Sequence, residues 1–172
     1  NLFAVWSLLG RAAGIEMHDG ADMLRIVSGI RFPLCNDVFR SNFAPDEARA
    51  AIEETVAVFR ERNVPALWWT GPATRPADLG KRLEARGFFH AEEVPGMAIA
   101  LEAVAEAEDA PGLSIRRVED RGDLEAWCDP FSRTFDLPPD VAAFFTRSFA
   151  AMEALPEKPC SNYLATLDGR PA

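Results

Sequence analysis

The chain has 172 residues, 48% apolar and 26% charged, with a net charge of −9. That length can bury the core of one medium domain or two small ones. Its acidic balance, with basic residues scattered along the chain, argues against nucleic acid or an anionic membrane as partner. Cys35, Cys128 and Cys160 lie far apart and form no C-x-x-C pair, which suggests reduced thiols in a cytoplasmic protein and no zinc site. His18 and His90 are isolated and read as structural or solvated.

The opening NLFAVWSLLG is apolar, lacks a basic leader and is too short to span a bilayer. Leu2, Phe3, Val5, Trp6, Leu8 and Leu9 cover a wide arc, so a buried helix ending at Gly10 and Gly14 is expected. Asp19–Gly20 is a turn signal between two strands, the second running from Met23 to Ser28. Phe32 to Phe43 reads as an irregular strand, interrupted at Pro33 and again at Asn36–Asp37. Pro45 then opens a helix with Asp46 and Glu47 in its first turn and Arg60 and Arg62 in its last, favourable to its dipole. Ala48, Ile52, Thr55, Val56 and Phe59 form its inner face, and Asn63 is a candidate left-handed cap.

Leu67 to Leu101 reads as strand, helix, strand, with the Leu67 strand central in a mixed sheet. Ala66 to Thr70 is apolar and aromatic, and adjacent Trp68 and Trp69 should face opposite sides. Pro76 opens the helix, Leu79 and Leu83 give its apolar stripe, and Gly87 ends it. Met97 to Leu101 is the expected closing strand. Residues 103–112 are acidic and end in Pro-Gly, as a linker would. Leu113, Ile115 and Val118 mark a new strand. Asp120 caps a helix carrying Leu124, Trp127 and Cys128, and Pro130 with Pro138–Pro139 divides the region into two helices. The second carries Val141, Phe144, Phe145, Phe149 and Met152 at core spacing. Tyr163 to Leu167 is a strand and Asp168–Gly169 a hairpin turn, whose second strand has three residues before Ala172. The reading therefore expects the native chain to continue.

The run KRLEARGFF, Lys81 to Phe89, followed by an acidic turn and an apolar segment, resembles the closing part of a GNAT N-acetyltransferase domain. Strand, two helices, strand and Asp-Gly turn in residues 113–172 resemble the opening of a second one. The resemblance implies an α/β fold: a divergent GNAT-like mixed sheet flanked by helices at 1–102, a linker at 103–112, and the first part of a second GNAT domain at 113–172. It implies acetyl transfer from acetyl-CoA to a primary amine, either a small molecule or a peptide, with a homodimer among the assemblies the family allows.

The family's cofactor signature, Arg/Gln-x-x-Gly-x-Gly/Ala, brings backbone N–H groups against a pyrophosphate at a helix N-terminus. The corresponding junction here, SNFAPDEARAAI, has no glycine, loses a donor at Pro45 and carries two carboxylates. Where the family often places a tyrosine acid, four residues before the Gly-Phe pair implied as Gly87–Phe88, stands Leu83. Residues 1–102 are thus expected neither to bind acetyl-CoA nor to supply a catalytic residue, and the CoA site is expected in the second domain. The segment FSRTFDLPP corresponds to a wall of the acceptor pocket, which makes Phe135, Asp136 and Leu137 the candidate substrate-binding residues. Asp136 would attract a cationic amine, or else cap a helix. No nucleophile elbow, P-loop, His-x-x-His pair or dinucleotide turn is present. Glu92–Glu93 and Glu119–Asp120 read as solvated turn carboxylates. A non-catalytic module, used for domain packing, dimerisation or substrate binding, is the second class of function the residues allow.

Overall fold

The computed structural model describes residues 8–11, 15–105, 110–155 and 161–172. It is a mixed α/β structure with two small sheets. Only the tail of the expected N-terminal helix, residues 8–11, lies within the described residues, and it is helical.

The first sheet has the order β1 (Glu16–Asp19), β2 (Leu24–Val27), β3 (Asn36–Phe39), β4 (Leu67–Trp68). Asp19 and Gly20 turn the chain between β1 and β2, which pair antiparallel with Met17 opposite Ile26. β3 runs antiparallel to β2, and β4 runs parallel to β3. Parallel pairing requires a crossover, supplied by α1 (Ala48–Arg62). Its buried Ala48, Ile52, Thr55 and Phe59 recur at the helical period and pack on Met23, Val27 and Val38 of the sheet. Asn63 ends it in the left-handed conformation, with φ 52°, and its N–H bonds the Arg60 and Phe59 carbonyls. The short α2 (Leu79–Glu84) buries Leu79 and Leu83 in the same core, and Gly87 follows at φ 91°.

Several sequence expectations fail in this unit. α1 begins at Ala48 and α2 at Leu79, so Pro45, with Asp46 and Glu47, and Pro76 lie before the helices they were expected to open. β4 is an edge strand and not a central one, because no further described strand pairs beyond it. Met97 to Leu101 is not a strand: it finds no neighbouring edge, and its ladder groups would have no partner. Asn36 and Asp37 do not interrupt a strand but open β3, all four of whose residues are buried. A 3₁₀ turn at Pro33–Cys35 makes the bend instead.

The second sheet has the order β5 (Leu113–Arg117), β6 (Tyr163–Leu167), β7 (Arg170–Pro171), all antiparallel. Asp168 and Gly169, at φ 49° and 76°, form the turn that the Asp-Gly pair predicts. α3 (Arg121–Thr134) and α4 (Pro139–Glu153) cover one face of this sheet. The Asp120 side chain accepts the Asp123 N–H at 2.8 Å and caps α3 as expected. Pro130, expected to break the region, lies inside α3. A helix-interior proline costs about 3 kcal/mol. Ring packing holds the last turn in place: Phe131 lies 5.3 Å from Phe145 and 6.4 Å from Trp127. Val141, Phe145, Phe149 and Met152 are buried as their spacing predicts. Leu9 and Cys35 join this second core, with Ile30, Phe32 and Leu34 packed against it.

Candidate functional site: a buried carboxyl on β3

The side chains of a strand alternate between faces, so Asp37 and Phe39 share one face of β3 and Val38 takes the other. Opposite them on β2 stand Ile26 and Leu24, both fully buried. β4 then delivers a tryptophan to each side. The Trp69 N–H bonds the Val38 carbonyl at 2.9 Å, and its indole stacks on Phe39 with centroids 5.9 Å apart. Trp69 Nε1 donates to Asp37 Oδ1 at 2.7 Å. Trp68, on the opposite side, donates to Ser41 Oγ at 2.8 Å and packs edge-on against Phe43 and Phe88. Both indoles are therefore half-buried and engaged within the chain; neither stands out as a bare contact surface.

Asn36, fully buried, ties the neighbouring loops together. Its Nδ2 donates to the Ile30, Phe32 and Pro65 carbonyls, and its Oδ1 accepts the Ser28 N–H at 3.1 Å. Asp37 is equally buried but poorly satisfied: Oδ2 has no hydrogen-bond partner among the described residues. Burial raises the Asp37 pKa from its ordinary 3.8 to about 7, with the Trp69 hydrogen bond pulling the other way. A carboxyl in this state can hold or release a proton near neutrality. It has no open route to a ligand, since its exposure is 0%.

The neighbouring Cys35 is pushed up to about 12, by burial first and then by the Asp37 and Asp140 carboxylates. It stays a thiol and cannot serve as a nucleophile. Burial likewise raises Cys128. Cys160 lies outside the described residues. His18 and His90 are exposed, and no group of three or more His, Cys, Asp or Glu among the described residues could hold a metal.

Phe135, Asp136 and Leu137 are brought together in the turn between α3 and α4. Phe135 is exposed but lies 5.0 Å from Phe131, and Leu137 packs against the helical core. Asp136 is exposed and takes a left-handed φ of 46°, with its N–H bonded to the Arg133 carbonyl. Its carboxylate makes no cap contact and faces water. The turn does not join Asp37, and it lines no part of the cleft formed at the other ends of α3 and α4. That cleft, of about 430 Å³, lies between the start of α3 and the last turns of α4, with Glu119, Arg121, Arg147 and Glu153 in its wall.

The β3–α1 junction does not fit a pyrophosphate. The Glu47 and Ala48 N–H groups both bond the Ala44 carbonyl, and Arg82 donates to the Pro45 carbonyl at 2.7 Å. Asp46 and Glu47 are exposed beside them, where phosphate charge would be repelled. Asp37 escaped the sequence reading because Asn-Asp pairs usually mark turns. The available signal was the tryptophan pair, which needs a polar partner for a buried indole N–H. No helix among the described residues is long and apolar enough to cross a membrane. No family model, curated protein or solved structure matches the chain.

Proposed function

We propose that this chain is part of a GNAT-type N-acetyltransferase that moves an acetyl group from acetyl-CoA to a primary amine. One observation carries the reading. An antiparallel β1–β2–β3 sheet is extended by a parallel β4 through the crossover helix α1 and followed by α2, which supports the resemblance, although the closing strand it implies at Met97 to Leu101 does not form. The order β5, α3, α4, β6, β7 is consistent with the opening of a second domain of the same kind. In this reading residues 1–102, 103–112 and 113–172 are first domain, linker and start of the second.

Because the β3–α1 junction does not fit the cofactor, no step through acetyl-CoA is assigned to residues 1–102. The second unit would carry the cofactor, and the α3–α4 turn would border the amine. There the Asp136 carboxylate, exposed and free of a capping role, supplies negative charge to a cationic amine, with Phe135 and Leu137 as apolar walls. The amine must lose its proton before its lone pair attacks the thioester carbonyl. Coenzyme A then leaves as the thiol. Such a protein would work in the cytoplasm, where acetyl-CoA and reduced thiols coexist.

The test is thiol release from acetyl-CoA by the whole purified protein, against small amines, an aminoglycoside and lysine-bearing peptides. Turnover with one of them is expected, and Asp136→Asn should raise KM more than it lowers kcat. Silence with every amine, together with no heat on titrating coenzyme A, sinks the proposal. The ill-fitting β3–α1 junction favours a second reading for residues 1–102 alone, a non-catalytic module that packs against the second unit.

A further inference from the structure

Two apolar surfaces of this chain are exposed, and the charges around them are complementary. The first is the stretch from Val94 to Val104. Met97 is 93% exposed and Ile99 64%, with Val94 and Val104 also bare. Within residues 89–102 no backbone N–H bonds another backbone carbonyl among the described residues. This apolar stretch, which ends in a 3₁₀ turn at Leu101–Ala103, is thus left without a ladder or a core.

The second is the outer face of the β5–β6–β7 sheet. Leu164 and Arg116 sit opposite each other and point to the helices, Leu164 into the core and Arg116 onto Asp123. Their strand neighbours must point the other way. Leu113, Ile115, Tyr163 and Leu167 accordingly lie on one face, all exposed, with Ile115 at 63%. Antiparallel sheets can leave one face to water, but that face is then normally polar.

Charge completes the match. Arg117 and Arg170 belong to the same outer face as Ile115 and Leu167. Glu92, Glu93 and Glu102 flank the apolar stretch. Among the described residues none of these five makes an ion pair, although ten other pairs form.

We infer that residues 94–104 of one copy seat on the outer face of the β5–β6–β7 sheet of a second copy, in a reciprocal dimer. Within residues 1–172 of a single copy both surfaces are bare. Exchange between two copies covers each of them twice. The arrangement is isologous and closed, using both surfaces of each copy. Arg117 and Arg170 would set the orientation against the acidic flanks, and would speed encounter more than they tighten it.

Sedimentation of the full 172-residue chain across the micromolar range tests it. Twice the chain mass of 18.9 kDa is expected, with hydrogen exchange slowed in residues 94–104. Met97→Glu with Ile99→Glu should give a monomer with an unchanged circular dichroism spectrum, because neither side chain supports the single fold. Arg117→Glu with Arg170→Glu should weaken the dimer about tenfold. Adding Glu92→Arg, Glu93→Arg and Glu102→Arg should restore it. A wild-type monomer overturns the inference, whether its 94–104 stretch exchanges freely or is protected on its own sheet. A dimer indifferent to the Met97 and Ile99 changes overturns it as well, as does failure of the charge swap to restore association.

Discussion

Replacing Asp37 by Asn should make the protein more stable, and increasingly so as pH rises. Asn keeps the shape and an oxygen to accept from Trp69 Nε1, the one hydrogen bond the carboxyl makes. It removes the ability to ionise. In the folded chain burial raises the Asp37 pKa from 3.8 to about 7. At about 1.4 kcal/mol for each tenfold change in proton affinity, this corresponds to about 4 kcal/mol. The sign follows from proton binding. Between pH 4 and 7 the unfolded chain has released the Asp37 proton and the folded chain still holds it. Stability is therefore fully present below about pH 4, falls as pH rises, and has lost the whole contribution above about pH 7.

The assay is urea unfolding followed by tryptophan emission, on wild type and Asp37→Asn at several pH values from about 4 to 8.5. Cys35, which the Asp37 charge also raises, stays a thiol in the folded chain across this range because burial is the larger cause, so the difference isolates one carboxyl. It should grow by about 1.4 kcal/mol per pH unit up to pH 7 and then level off. Against a usual domain stability of about 5–15 kcal/mol, the full effect is easily resolved. A difference that stays flat from pH 4 to 8.5 would mean that the carboxyl ionises alike in both states. That result refutes the assignment of Asp37 as a buried, under-satisfied acid.

Leu83→Ala should destabilise the protein by about 2–5 kcal/mol, since Leu83 is buried in the core shared with α1; a loss below about 1 kcal/mol in urea would show that the site collapses around the gap. Asp120→Ala removes the α3 cap and should cost about 1 kcal/mol, read as a lower unfolding midpoint, whereas Asp120→Asn should cost far less. Crystals soaked in coenzyme A should show no pyrophosphate at the N–H groups of Glu47 to Arg49, because two of these donors already bond Ala44; density there would make the first unit a live cofactor site.

Where one periodic face meets one core, the sequence was readable. The α1 and α4 stripes, the Asn63 and Asp120 caps and the two Asp-Gly turns depend on neighbours a few residues away, and all appear as expected. Long-range partners decided the rest. Asn36 and Asp37 carry turn chemistry locally, but Asn36 meets three carbonyls from two loops and Asp37 meets an indole thirty-two residues on. Pro130 is a helix breaker whose cost is offset by aromatic rings from α4. Met97 to Leu101 has strand propensity, but a strand requires an edge to pair with.

These departures share a cause that bears on the site. Asp37 can remain a poorly satisfied acid only because both flanking features hold β3 rigidly. Asn36 anchors its start to the loops at Ile30, Phe32 and Pro65, and Trp69 clamps the face beyond it through Phe39 and Oδ1. Were β3 free to shift, water would reach Oδ2 and return the pKa towards 3.8. The raised pKa is thus a measure of how tightly β4 is held, although β4 is an edge strand of two residues. Trp69→Phe keeps the ring stacked on Phe39 but removes the donor. With the last hydrogen bond to the carboxylate gone, the Asp37 pKa should rise further, so that the loss of stability by pH 8 is larger than in wild type, while at pH 4 there is still no loss. Were Trp69→Phe to flatten the pH profile instead, the indole would be acting as a seal against water and not as a hydrogen-bond donor.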